Sequence, residues 1–265
     1  MLAHTRQGSG PPLLLVHGLG SAATTWDPLL PRLAARYDVV AVDLPGHGRS
    51  PALPRTEPAT PARLARTVGA LLDHLGWDRP HLLGNSLGGW VSLELAADGR
   101  ARSVTTLAPA GLWLRPSQRR NPVVRVNRVA ARATRGVQPV VLRSRALRRL
   151  AFASVSAWPA QIPYDVALEA ARAQTDASGY PAALDGTLGL RFDRAGSIPS
   201  DVPVTAVWGD RDHVLPARST QERSLLPAHA QWVVLPHCGH VPQWDAPGAV
   251  LRLLDRTTDR TSDAG

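Results

Sequence analysis

Pro80-His81-Leu82-Leu83-Gly84-Asn85-Ser86-Leu87-Gly88-Gly89-Trp90 decides how this chain is read. A short apolar run leads into one serine framed by glycines, and a helix-like run follows. Gly84-x-Ser86-x-Gly88 between a strand and a helix is the pattern of a sharp turn that carries a nucleophile. Side chains would clash in so tight a turn, so glycines flank the serine. The turn would lift Ser86 Oγ out at the carboxyl end of the strand. It would also set the Leu87 N–H at the start of a helix, aimed at a developing oxyanion. A plain glycine turn with an incidental serine is the competing reading.

Outward from this turn, short apolar runs alternate with helical spacing. Leu13–Val16 and Val39–Val42 read as strands buried on both faces. Each ends in turn chemistry: His17-Gly18-Leu19-Gly20, and Asp43-Leu44-Pro45-Gly46-His47-Gly48. Helical spacing is expected over Thr25–Ala35, Arg63–Leu75 (with Gly76 past its end) and Leu87–Ala97, and strands over His81–Leu83 and Val104–Leu107. The alternation predicts an α/β fold with a mostly parallel, doubly wound sheet. After Gly111 no convincing strand occurs until Val202–Trp208 and then Gln231–Leu235. We therefore expect a core of residues 1–111 and 201–265, interrupted by a helical lid over 112–200. Thr257–Gly265 reads as a frayed polar tail.

A serine hydroxyl needs an adjacent base at neutral pH. For this fold order the acid and then the histidine follow the serine. His240, in Pro236-His237-Cys238-Gly239-His240, fits the base; a solvated loop histidine or a zinc pair with His237 are the alternatives. Gly209-Asp210-Arg211-Asp212-His213 offers two acids to orient it. The second oxyanion donor should be the Leu19 backbone N–H, with glycines such as Gly18 letting backbone approach substrate closely. His17 is expected to support that turn.

Taken in order, these strings strongly resemble the α/β-hydrolase superfamily, along nearly the whole chain outside the lid. The resemblance makes Asp212, three residues after Gly209, the triad acid, with Asp210 shaping the turn. It implies an α/β-hydrolase fold, a Ser86–Asp212–His240 triad and no metal or organic cofactor. A serine at residue 86 argues against the haloalkane dehalogenase and epoxide hydrolase branches, which use aspartate there. Gly84–Gly89 and Cys238-Gly239-His240-Val241-Pro242-Gln243-Trp244 look like both carboxylesterases and the carbon–carbon hydrolases of aromatic meta-cleavage pathways. The latter commonly carry an aromatic residue where Val241 stands. Their lid arginine has one candidate here, Arg191.

The 265 residues are 44% hydrophobic and 19% charged, a globular composition. No apolar run is long enough to span a bilayer. No secretory leader is evident, and the single Cys238 excludes an internal disulfide, so a cytoplasmic protein is expected. The net charge of +9 is unevenly placed. Gly99–Tyr164 holds 13 arginines and no acid, while the rest carries 17 arginines against 21 acids, a net −4. Arg125, Arg128, Arg132 and Arg135 share one helical face, with Val126, Val129, Ala130 and Ala133 on another. This basic amphipathic helix is either a solvated lid face or an attractor for an anionic substrate, carrier or membrane surface. No nucleic-acid module is recognisable. Trp90, Trp113 and Trp158, with Asn85 and Val241, are candidates for the pocket wall. The expected substrate is a small to medium carboxylic ester. A vinylogous diketone cleaved at carbon–carbon and an acyl thioester are the rivals, and a non-catalytic ligand-binding relative is the alternative of another kind.

Overall fold

A computed structural model describes residues 1–54, 56–116 and 122–261. Seven strands form one sheet: β1 His4–Gln7, β2 Pro12–Val16, β3 Asp38–Val42, β4 His81–Asn85, β5 Ser103–Leu107, β6 Val204–Gly209 and β7 Gln231–Leu235, in spatial order β1-β3-β2-β4-β5-β6-β7. All neighbours are parallel except β1 with β3. β1 has no apolar pattern. Its sequence, His-Thr-Arg-Gln, is a half-exposed edge held by pairing with β3 and by Arg6 Nε donating to Asp38 at 2.8 Å.

The apolar runs divide by alternation between two cores. Leu14, Val16, Val40 and Leu82 face one layer, with α2 (Pro61–Leu75) and α3 (Leu87–Ala97). Leu13, Leu15, Val39 and Leu83 face the other, which contains Trp26 and α11 (Pro247–Asp259). Both faces are covered, so β2 and β3 read as continuous apolar runs. α2 is bounded by its own chemistry: Thr60 Oγ1 accepts the Arg63 N–H at 3.2 Å, Pro61 opens the helix, and Gly76 closes it at φ 70°. The helix expected over Thr25–Ala35 is broken, into a 3₁₀ turn Ala23–Trp26 and α1 Leu30–Ala34. Pro28 and Pro31 interrupt it. The expected frayed tail is also corrected: α11 runs through Asp259, with Thr257 and Thr258 buried. Thr257 Oγ1 lies 2.7 Å from Thr205 Oγ1. Residues 262–265 lie outside the described residues.

Between β5 and β6 the described residues form only helices and turns: α4 Pro122–Ala133, α5 Gln138–Val141, α6 Arg145–Phe152, α7 Tyr164–Asp176 and α8 Tyr180–Asp185. They carry a small core of their own, Leu142, Phe152, Ile162, Ala167 and Leu168, against Trp244. Two short helices, α9 Ala217–Thr220 and α10 Pro242–Asp245, follow β6 and β7. The apolar face of α4 does not pack inward. Val126 and Val129 are 64% and 60% exposed. The half-buried side of α4 includes Arg128, which donates to the carbonyls of Gln174 and Ala177 and lies over the Tyr180 ring. Arg119 and Arg120, part of the basic segment, lie outside the described residues.

Candidate active site

Ser86 follows β4 with φ 54° and ψ −117°. A side chain held at positive φ costs roughly 1–3 kcal/mol and persists only where its surroundings over-determine it. Here the Ser86 N–H donates to Leu107 O at 2.9 Å, and the Ser86 carbonyl accepts from Ala110 N at 2.9 Å and Trp90 N at 3.2 Å. The flanking glycines are required sterically. A Cβ on Gly88 would fall on Val16 O, and one on Gly84 would fall on Gly88 O and Ser92 Oγ.

The carboxyl ends of β2, β4, β6 and β7 bring the expected residues together, where open α/β sheets bind ligands. His240, after β7, places Nδ1 2.8 Å from Asp212 Oδ2, and both residues are buried. The second oxygen of Asp212 accepts the N–H groups of Val214 (2.9 Å) and Leu215 (2.8 Å). With Nδ1 engaged, Nε2 is the basic nitrogen of neutral His240. The exposed Asp210 instead accepts the Cys238 N–H at 3.1 Å, holding the turn after β7. His237 Nδ1 lies 2.8 Å from Arg211 Nη2. Among the described residues no group of three potential ligands could hold a metal.

A cavity of about 1010 Å³ opens onto Ser86 and His240. Gly18, Leu19, Asn85, Leu87, Trp113 and Val241 line it. Among the described residues, the backbone N–H groups of Leu19 and Leu87 have no protein acceptor, and Ser86 Oγ makes no hydrogen bond. His17 fixes the Leu19 turn: its Nδ1 is 2.7 Å from Gly18 O, and its Nε2 accepts the Leu44 N–H at 2.9 Å. Burial lowers its pKa, so the ring is neutral.

Three expected pocket residues do not line this cavity. Trp90 is buried behind the wall, donating to Glu94 at 2.9 Å and packing edge-on against Trp113. Trp158 lies outside, 42% exposed, its Nε1–H donated to His237 O at 2.9 Å. Arg191 is exposed, with Nη1 3.5 Å from Leu114 O. Conversely, sequence reasoning missed Asp245. Its carboxylate accepts Ser156 Oγ at 2.6 Å, Ala157 N at 2.8 Å and Gly239 N at 2.7 Å. It ties the histidine turn to the helical segment, with no motif to announce it. Asn85 adds a second tie, its Nδ2 donating to Leu107 O at 3.0 Å and His240 O at 3.1 Å. Cys238 is buried, which pushes its thiol up to about 12 and keeps it protonated.

A family model described as "alpha/beta hydrolase fold" matches residues 11–247. The chain belongs to the α/β-hydrolase family. This hydrolase is 36% identical over 206 residues to epoxide hydrolase EphH of Mycobacterium tuberculosis, a match over 73% of this chain and 92% of that one. It is 34% identical over 243 residues to the dihydrolipoyllysine-residue acetyltransferase component of an acetoin cleaving system from Pseudomonas putida. That match covers 89% of this chain but spans only 60% of the relative. The thermophilic esterase of Thermogutta terrifontis shares the fold of this hydrolase, with a TM-score of 0.74 and 23% identity over 98% of this chain and 93% of the other.

Proposed function

We propose that this hydrolase cleaves a small to medium carboxylic ester through Ser86. The observation that carries the reading is the buried Asp212–His240 contact of 2.8 Å opening onto the same cavity as the strained Ser86. His240 Nε2 takes the Ser86 proton as Oγ attacks the ester carbonyl, and Asp212 stabilises the imidazolium. The oxyanion is met by the unpaired N–H groups of Leu19 and Leu87. Collapse expels the alcohol, which receives the proton from His240 and leaves an acyl-enzyme. Water, deprotonated by His240, then releases the acid and restores Ser86. Among the described residues Ser86 Oγ makes no hydrogen bond. In such sites the nucleophile–base contact often tightens only with substrate bound.

The cavity, about 1010 Å³, sits at the upper end of the usual range for small-molecule sites, which suits a medium acyl chain. Epoxide opening, suggested by the name of one relative, fits less well, because the resembling branch uses aspartate where Ser86 stands. The carbon–carbon reading loses its candidate lid arginine, since Arg191 does not line the cavity. Hydrolysis of 4-nitrophenyl acyl esters of increasing chain length tests the proposal. Turnover by the wild type that vanishes in Ser86→Ala supports it, and the chain-length optimum sizes the pocket. A folded wild type that cleaves none of these esters but opens a vinylogous diketone or an acyl thioester overturns it.

A further inference from the structure

Nine of the eleven most exposed large apolar side chains among the described residues fall between residues 112 and 200, seven of them between Leu114 and Leu150. Several belong to the cavity itself. Val126 and Ala130 on α4, and Leu147, Leu150 and Ala151 on α6, line the cavity and are exposed at once, so they form its rim. Leu150 is 75% exposed. Beside the rim, Val129 and Val140 are also open to solvent. Exposed apolar side chains gathered at a cavity rim mark an interaction site.

The charges around it choose the partner. Arg125, Arg132, Arg145 and Arg149 are exposed, and none makes an ion pair among the described residues. No acid occurs from Gly99 to Tyr164. A second copy seated face to face would set arginine against arginine. An acidic protein would satisfy the arginines but would need pockets matched to each aliphatic side chain. A bilayer accepts Val and Leu at any spacing while its phosphates meet the guanidinium groups.

We propose that this rim, the outer faces of α4 and α6 with α5 beside them, docks peripherally on an anionic lipid bilayer. The mouth of the apolar cavity then opens into the acyl-chain layer, and a membrane-soluble ester enters without crossing water. The docking does not depend on catalysis; delivery of substrate rests on the ester reading above. No helix among the described residues is long and apolar enough to cross a membrane, so the contact is one of surface insertion.

Co-sedimentation of the Ser86→Ala protein, which cannot consume lipid, with phosphatidylcholine vesicles with and without phosphatidylglycerol tests the docking. The expected result is binding to the phosphatidylglycerol vesicles, at least about tenfold weaker to phosphatidylcholine alone. Leu150→Asp and Val140→Asp should each weaken it about tenfold, with thermal unfolding midpoints unchanged. No binding at low salt overturns the proposal. Equal binding by the two aspartate variants also overturns it, since that is adhesion of any basic protein. So does capture of an acidic carrier protein, or a concentration-dependent dimer, by protein that ignores vesicles. Vesicle binding with no ester turnover would sink only the functional reading.

Discussion

Ser86 keeps a positive φ because Leu107, Trp90 and Ala110 hold its backbone from both sides, and because Gly84 and Gly88 leave room for the turn. Gly88→Ala should cost at least about 1–3 kcal/mol, since the new Cβ meets backbone that has no rotamer to yield. Chemical denaturation would show it, and an unchanged midpoint would contradict the geometry. The two candidate acids separate cleanly. Asp212→Asn should lower kcat by up to about four orders of magnitude, by the logic of orienting the imidazole. Asp210→Asn should leave most of the activity, because Asp210 holds the backbone N–H groups of His237 and Cys238 rather than the His240 ring. Activity lost with Asp210 instead would reverse the assignment. Ser86, Asp212 and His240 were legible because a tight turn and a fixed chain order constrain residue type. Asp245 was not, because its partners at 156 and 157 lie almost ninety residues away and only folding brings them near.

The helical segment and the histidine turn behave as one piece. Val155 O accepts the N–H of His240 at 2.8 Å and of Val241 at 3.2 Å, and Asp245 bonds both sides of the joint. Asp245→Ala strands three donors and should cost about 2–3 kcal/mol of stability. It should also lower kcat through misplacement of His240. A variant with wild-type kcat would show that the joint does not position the base. At this scale the sequence was read well where period and burial agree, as in β2, β3, β4 and α2. It was silent where they part. The polar β1 is a strand only because β3 offers an edge, and α4 turns its valines outward while Arg128 finds carbonyls and an aromatic ring inside. The Trp90, Trp158 and Arg191 assignments failed for a related reason. Composition says that a side chain is large or charged, not which side of a wall it occupies.

Across the molecule, neutral histidines are built into the core. Burial, helped by Arg102, takes His81 down to about 4, and burial beside His17 takes His47 down to about 3. The unfolded chain binds protons at these rings from about 6.5 downward, while the folded chain does not until those lower values. Stability is therefore full above about pH 6.5 and falls as pH drops through the window toward 4 and 3, by about 2–3 kcal/mol for His81 alone. Unfolding midpoints measured from pH 7 to 4 should decline steadily; a flat profile would contradict this burial. Charge is just as unevenly distributed along the chain, with 13 arginines and no acid from Gly99 to Tyr164 and a net −4 over the rest. The central claim, that Ser86 is a nucleophile activated by His240, is tested most directly by labelling with a fluorophosphonate and mapping the adduct by mass spectrometry. The account predicts one adduct, on Ser86, formed with loss of fluoride and suppressed in His240→Ala. A folded chain that stays unlabelled at high reagent excess, or is labelled elsewhere, would contradict it.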